Sequence, residues 1–572
     1  MSNSRVFGPI MLRKIWQNLR GLRPLLLLML VITLLDAALS AFSISLILPV
    51  VNTALGNVGD QSWVTRHLPS DFQAQTSTIL MLLGGVLGLK LLVSIVRVSY
   101  SIHLTENIRL TWQLALSRKF ILRSYSSTVN EKKGRLVNDL IYEADTAASF
   151  IYNYLNYLAQ IFIISAVLIL LISVNGPWVV YFVLAGVLLW YFLGRPYFKL
   201  ARRLGKHGIT LNQNLNAILY ESLTSIKDIK ILRSEDFQLQ KIKLLGTQTN
   251  TNRKAKKIAH AIPALGKEFI LAGAVILIAF ILPDDIDEVK DIMPQIALFI
   301  AATSRLTANV STIISLRFKI TSQFPSFKLI LARLENLIDQ EEDLYKGKVI
   351  RSLNKYIEIK NLFFDFNKDA QVLKGLNIHI EKGLTTCIMG ASGAGKTTLI
   401  DILTRIYEPT AGTIKNGTTA ITKYSLSSWR QTVGYVPQEP MIYHGTIREN
   451  ICLGNKKISQ RQIDEACKVC LVDEFVNNLP ERYETLLNEG GANLSGGQKK
   501  RLAMARVIAQ GRKLIILDET TSAIEETAEQ RIIKNLKKKN DITLLIITHR
   551  KSTLKFADKC YFIRDGKAFL EF

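Results

Sequence analysis

The sequence predicts an α-helical membrane half followed by an α/β half built on a parallel sheet, and three observations carry that expectation. Up to about residue 320 the apolar residues come in long runs; beyond it they come as short, strand-length pieces separated by Gly, Asp and Asn. In the second half the strand-like TTCIM leads into GASGAGKTT at Gly390–Thr398 and then into the helix-like LIDILTRIY, the strand, loop, helix order of a phosphate-binding loop. At 572 residues the chain is also too long for one hydrophobic core. The expected division is 1–330 for a membrane domain with long cytoplasmic helical extensions and 331–572 for a nucleotide-binding domain.

Six spans are drawn at about 24–48, 79–100, 152–173, 175–194, 263–283 and 292–315, each near the roughly 20 apolar residues that cross the hydrocarbon of a bilayer. The first run continues from Pro24 to Val51 without a small-residue cleavage pattern, so it reads as a retained anchor. Lys and Arg cluster at Arg13–Arg23, Arg109–Arg123, Lys132–Arg135, Lys199–Lys206 and Arg253–Lys257, beside the spans, whereas DDIDEVKD at Asp284–Asp291 is acidic between two of them. The formal charge of +25 therefore reads as positive-inside topology and contact with anionic lipid, and no nucleic-acid motif stands beside it. With a basic N-terminus inside, six crossings return the chain to the same side. The stretches at about 101–150 and 195–262 then extend membrane helices into the cytosol. The loop at 52–78 reads equally as a short interfacial helix around Trp63 or as a solvent loop.

Charges inside spans are costly unless they face protein or water. Asp36, Lys90, Arg97, Lys267, Glu268 and Arg305 lie in such positions. Two readings stand side by side: ion pairing within the bundle, or a basic cavity lined by Lys90, Arg97 and Arg305 that accepts an anionic headgroup.

The second half carries the chemistry. Glycines at Gly390, Gly393 and Gly395 let the backbone approach a phosphate, and N–H groups of the loop and helix start, through Ser392, Ala394, Thr397 and Thr398, meet its oxygens. Lys396 reaches the β- and γ-phosphates of ATP, and the Thr397 hydroxyl suits Mg²⁺. LIILDE at Leu514–Glu519 reads as a buried strand ending in two carboxylates: Asp518 to hold Mg²⁺ through water, and Glu519 to orient or deprotonate the attacking water. The strand Thr543–Ile547 ends at His549, placed to sense a γ-phosphate. All five cysteines fall in this half, where free thiols are expected, and the lone CxxC of Cys467 and Cys470 lacks the second pair a zinc site needs.

LSGGQKKRLAMAR at Leu494–Arg506 resembles the signature loop and helix of the ATP-binding-cassette (ABC) transporters, and the order of motifs is similar to that family's nucleotide-binding domain. The resemblance implies that Gln438 is the Q-loop glutamine and a metal contact, Phe366 the aromatic residue stacking on adenine, His549 the switch histidine and Glu489 the X-loop glutamate that couples to the membrane domain. Six spans ahead of one such domain resemble an exporter half-transporter of the type IV architecture. One copy of each motif then implies a dimer, most simply a homodimer, in which Ser495, Gly496, Gly497 and Gln498 of one subunit complete the partner's ATP site. Two departures stand out. Glu525 replaces the aspartate usual after the catalytic glutamate, and Asn488 takes the place of a glycine in the X-loop.

GRLVNDLIYEADT at Gly134–Thr146 resembles the exporter region around the first coupling helix, and ESLTSIKDIKIL at Glu221–Leu232 resembles a segment of lipid-linked oligosaccharide exporters. The leading expectation is therefore a flippase for a lipid-linked oligosaccharide in a bacterial inner membrane, with the ATPase domain cytoplasmic. Export of peptides or lipopeptides, and of phospholipid, lipid A or drugs, are alternatives within transport. An ATP-gated channel or regulator is the alternative outside it.

Overall fold

The computed structural model describes residues 23–46, 50, 76–129, 131–175, 178–281, 286–336, 342–366, 371–519, 524–539 and 541–572; at 44, 45, 76, 78, 79, 170–175, 178–194, 264–281, 286–303 and 305 it describes backbone alone. The loop at 52–78 lies almost wholly outside the described residues. The chain divides into two compact units, Met1–Arg123 with Asn130–Gln340, and Ser124–Val129 with Glu341–Phe572.

The first unit is helical: α1 (Arg23–Ser45), α2 (Thr76–Leu122), α4 (Lys133–Asn138), a π-helical turn at Asp139–Glu143, α5 (Ala144–Asn175), α6 (Trp178–Thr224), α7 (Ile226–Ile231), α8 (Glu235–Ile281) and α9 (Ile286–Asn336). The short α3 (Tyr125–Thr128) belongs to the second unit. There the Tyr125 ring meets Tyr407 edge-on at 5.9 Å. Gly134–Thr146, by contrast, stays within the first unit as α4, the π turn and the start of α5.

Among the described residues three helical stretches are long and apolar enough to cross a bilayer: Arg23–Ser43, Leu80–Leu122 and Lys133–Ile169. The expected spans at 175–194, 263–283 and 292–315 run through α6, α8 and α9, whose backbone is helical but whose side chains there are largely outside the description. Pro263 lies inside α8 without ending it. A proline has no N–H to give the carbonyl four residues back; that carbonyl, on Ala259, instead accepts from Tyr197 Oη at 2.7 Å.

One charged cluster crosses α1, α2 and α5. Asp36 is buried, with Arg97 Nε 3.1 Å from its Oδ2 and Ser94 Oγ donating to its Oδ1 at 2.7 Å. Arg97 Nη1 also donates to Asn156 at 3.4 Å. A second cluster joins α9 to the π turn: Arg333 Nη2 lies 3.1 Å from Asp139 and its Nη1 3.0 Å from Glu131, which also pairs with Arg123 at 2.9 Å. Beside it, Phe150 stacks on Phe327 at 4.6 Å, with Trp112 behind.

The second unit contains β1 (Tyr356–Asp365), β2 (Gln371–Glu381), β3 (Thr385–Gly390), α10 (Lys396–Leu403), β4 (Ala411–Asn416), β5 (Thr419–Ala420), α11 (Leu426–Thr432), β6 (Val433–Val436), β7 (Gly445–Thr446), α12 (Ile447–Cys452), α13 (Gln460–Val469) and α14 (Asp473–Val476). It continues through β8 (Leu486–Leu487), α15 (Gly496–Ala509), β9 (Leu514–Asp518), α16 (Glu526–Lys537), β10 (Thr543–Ile547), α17 (Lys551–Leu554), β11 (Lys559–Arg564) and β12 (Lys567–Leu570). The main sheet has the order β12-β11-β3-β10-β9-β6, parallel except for β12. A smaller antiparallel sheet runs β2-β1-β4-β5.

The strands β9 and β10 are buried throughout, as a parallel sheet covered on both faces requires. Alternation splits them between two cores: Ile515, Leu517, Leu544 and Ile546 face one, and Leu514, Ile516, Leu545 and Ile547 the other. Because β10 lies between β3 and β9, with Ile547 opposite both Ile388 and Asp518, β9 and β10 end level and β3 runs two residues further, to Gly390.

The Asp36–Arg97 pair gives a stability test. Asp36→Ala leaves a buried guanidinium without its carboxylate and should cost about 3 kcal/mol or more. The double variant Asp36→Leu/Arg97→Leu should recover much of that loss. Thermal unfolding in detergent compares them, and an Asp36→Ala protein that melts with the wild type refutes the pair's importance.

Candidate nucleotide site

The C-terminal ends of β3, β9 and β10 bring three loops to one edge of the sheet, the usual ligand position in open α/β sheets. After β3 the chain turns through Gly390 (φ +151°), where an added Cβ would lie 2.5 Å from the Ile563 carbonyl oxygen. Gly395 (φ +101°) begins α10, and a Cβ there would lie 2.7 Å from Leu373 Cδ2. Both positions therefore admit only glycine. Ser392, Gly393 and Thr397 are exposed, Ala394 is half-buried and Thr398 is buried. Lys396 is buried and turns back over the loop, its Nζ donating to the Gly390 and Ala391 carbonyls at 2.7 and 2.8 Å. The loop N–H groups and the start of α10 form a cradle for an anion.

Asp518 ends β9 and is buried; Tyr435 Oη donates to its Oδ2 at 3.0 Å. Burial raises the Asp518 carboxyl above its ordinary range and Glu519 adds to this, while Tyr435, Lys396 and Lys500 oppose it. Asp401, on α10, is pushed up to about 6 by burial and by the charge of Asp518. Glu519 follows in the left-handed region (φ +44°), rare for a residue with a side chain. Its N–H donates to the Ile547 carbonyl at 3.1 Å, and its Oε1 lies 2.7 Å from His549 Nε2. The Thr548 N–H in turn reaches the Ile388 carbonyl at 3.3 Å, tying the histidine loop to β3.

The structure thus gathers Gly390, Lys396, Asp518, Glu519 and His549 at one edge. Gln438 is exposed, two residues beyond β6. Phe366 is exposed just after β1, its ring edge-on to Phe364 at 4.9 Å and to Tyr407 at 5.5 Å. Glu489 is exposed and opens a 3₁₀ turn, Glu489–Gly491. Ser495 and Gln498 engage each other: the Gln498 N–H donates to Ser495 Oγ at 3.2 Å and the Ser495 N–H to Gln498 Oε1 at 2.8 Å, a capping box for α15 that covers its first residues, Gly496 and Gly497. Ser522 falls outside the described residues, while Glu525 occupies the N-cap position of α16.

Of the three cations expected to line a cavity, Arg97 pairs with Asp36. Lys90 is half-buried, and the side chain of Arg305 is outside the description. Two residues of the site escaped the sequence reading. Tyr435, three residues before Gln438, holds Asp518. Lys500, in the run Lys499-Lys500-Arg501, is 5% exposed and donates to the Glu519 carbonyl at 3.1 Å. A basic triplet on a helix ordinarily reads as a solvated face, and only packing shows which member turns inward.

For Mg²⁺ the available donors are the Thr397 hydroxyl, the Asp518 carboxylate and the Gln438 amide oxygen. Such an all-oxygen set suits a hard cation that takes its remaining ligands from phosphate and water. Among the described residues no cluster of three or more His, Cys, Asp or Glu side chains forms a protein-only cage. The residues present fit the ion.

Two family models match the chain: one described as ABC transporter transmembrane region over residues 26–282, and one described as ABC transporter over residues 373–522. The putative multidrug export ATP-binding/permease protein YgaD of Bacillus subtilis is 29% identical over 463 residues, covering 78% of this chain and 77% of that protein. The ATP-dependent permease MDL1 of Candida albicans is 38% identical over 228 residues, 39% of this chain and 33% of the relative. For P-glycoprotein 14 of Caenorhabditis elegans, 37% identical over 225 residues and 38% of this chain, the match spans 17% of its length. The chain thus spans a third or less of the length of these last two relatives. A solved structure of a bacterial Atm1-family ABC exporter with ATP bound superposes with a TM-score of 0.79 at 20% identity, covering 96% of this chain and 94% of that one.

Replacing Lys396 with Met should weaken ATP binding about tenfold or more, because a charge-assisted bond to phosphate contributes roughly 1.5–3 kcal/mol. Titration with a fluorescent ATP analogue measures this, and unchanged affinity removes Lys396 from the site.

Proposed function

The chain belongs to the ABC-transporter family, joining that family's membrane region to its ATPase domain, and on that premise we propose that it is an ATP-driven exporter of amphipathic, drug-like substrates. The observation that carries the ATP-handling part is the convergence of Lys396, Asp518, Glu519 and His549 at the C-terminal strand ends, with the carboxylate of Glu519 against the imidazole of His549. In this reading Lys396 and the N–H groups of the loop hold the phosphates in line, and Phe366 stacks on adenine. Glu519 takes the proton of the attacking water while His549 orients that carboxylate and meets the γ-phosphate. Mg²⁺, held by Thr397, Asp518 and Gln438, would neutralise charge on the β- and γ-phosphates.

Ser495, Gly496, Gly497 and Gln498 complete the site of a second copy of the chain, so the working unit is a dimer with two equivalent ATP sites. Glu489 couples each site to a membrane domain. Nucleotide binding closes the ATPase domains on each other and turns the cavity outward, and hydrolysis resets it. The protein is a multi-pass membrane protein with a cytoplasmic ATPase domain; its assignment to a bacterial inner membrane is part of the proposal.

The cargo reading draws on the likeness to YgaD, which is named as a putative multidrug exporter. The engagement of Arg97 by Asp36 also counts against a strongly basic cavity. A lipid-linked oligosaccharide remains the second reading, resting on the segment Glu221–Leu232. There the short α7 buries Ile229 and exposes Ile226 and Ile231.

The test is ATPase activity of the purified protein in liposomes, with Glu519→Gln as the blank. Hydrophobic cationic drugs should stimulate the wild type at least twofold, while Glu519→Gln binds ATP and turns over less than about one hundredth as fast. Equal turnover by the two proteins overturns the role of Glu519. Stimulation by polyprenyl-diphosphate glycans alone moves the cargo to the second reading, and a protein that opens a conductance without sustained turnover is a gated channel.

A further inference from the structure

We infer that Lys500 is a positioning residue for ATP hydrolysis: it holds the peptide of Glu519 in its left-handed conformation and ties it to the helix that follows the signature loop. The inference rests on the reading of Glu519 as the base. Glu519 is held at its N–H, its carboxylate and its carbonyl. Its N–H is taken by the Ile547 carbonyl at 3.1 Å, its carboxylate lies 2.7 Å from His549, and its carbonyl accepts from Lys500 Nζ at 3.1 Å. The first two contacts come from β10 and the loop that follows it. Lys500 supplies the third from a different element, α15.

A residue with a side chain keeps a positive φ only where its surroundings over-determine it. Releasing the carbonyl lets the peptide relax and swings the carboxylate off the line it shares with His549. An ammonium is also costly to bury unless carboxylates face it. Lys500 is 5% exposed and lies in the combined field of Glu519, Glu439 and Asp518, with Arg550 opposing. Those residues come from the ends of β6, β9 and β10 and the loops that follow them, so Lys500 stands where the three meet.

The anchor behind Lys500 is firm. The next residue, Arg501, donates to the Leu471 carbonyl at 2.9 Å and reaches Glu474 at 3.3 Å. One and a half turns further on, Arg506 donates to the Asn450 carbonyl at 2.8 Å and the Met441 carbonyl at 3.0 Å. The helix cannot rotate to follow a loosened Glu519. Because Ser495 caps α15, a displacement of the signature loop is carried through about one and a half turns of rigid helix to Lys500 and so to the base.

The experiment compares Lys500→Met and Lys500→Arg with the wild type in liposomes. Loss of the third contact should lower kcat for ATP about ten- to a hundredfold, the cost of a misplaced reacting group, with KM and fluorescent-ATP affinity within twofold of the wild type. Lys500→Arg, which keeps the charge and a donor, should recover at least a third of the lost rate. Introduced into Glu519→Gln, Lys500→Met should leave the amount of trapped ATP unchanged, because the lysine acts only through the base. Full kcat in Lys500→Met overturns the inference, as does a fall in kcat matched by a rise in KM, which marks a nucleotide-binding or purely structural role. If Lys500→Met fails to fold, Lys500→Arg and Lys500→Gln decide: wild-type kcat in both refutes the positioning role. Wild-type turnover by Glu519→Gln instead sinks the assignment of the base, and the two failures are told apart by that single variant.

Discussion

The nucleotide site depends on one constraint: β3, β10 and β9 must keep their register, so that their C-terminal ends open onto one edge of the sheet. Residues 390, 518 and 549 are far apart in the chain, and nothing local brings them together. The pairing of Ile547 with Ile388 on one side and Asp518 on the other does so. A slip of one residue in either pairing would exchange the buried faces of the strand and separate the lysine loop from the carboxylates. Two covered faces make that slip expensive, since both sets of alternating residues lie in apolar cores. The left-handed turn at Glu519, worth roughly 1–2 kcal/mol of strain, is therefore imposed on a scaffold that cannot yield.

Much of this half was legible in the chain because each signal was local. Glycines at 390, 393 and 395 predicted a loop whose backbone can approach a phosphate closely, and all three take a positive φ. LIILD and TLLII predicted buried strands, and both are. What escaped was the meaning of residues whose environment comes from elsewhere. Lys500 reads like its basic neighbours until α15 is packed against the end of β9. The S-x-x-Q spacing at Ser495 and Gln498 was a local signal of a helix cap, present in the sequence alongside the signature motif that overshadows it.

The membrane half was less legible for a related reason. A charge inside an apolar run declares a cost but not its partner. Asp36 and Arg97 lie 61 residues apart, on α1 and α2, and only the packing of those helices shows that one answers the other. Pro263 is a similar case: sequence rules read it as a break, yet α8 continues because Tyr197 satisfies the carbonyl the proline leaves free. The grouping of Ser124–Val129 with the second unit was equally hidden, since these six residues carry no composition that sets them apart.

The length of α9 has a mechanical consequence. Its 51 residues span about 75 Å at 1.5 Å each, against a hydrocarbon layer of roughly 30 Å. With the span placed at 292–315, as the sequence suggests, the 21 residues from 316 to 336 reach about 30 Å beyond that layer. A tilt of about 5° within the membrane would swing an arm of about 30 Å through roughly 3 Å at its tip. With the arm braced by Arg333 on Asp139 and Glu131 and by Phe327 on Phe150, such a tilt is delivered as displacement rather than dissipated as bending. Leverage of this kind lets a small rearrangement at one end of a stiff helix become a large one at the other.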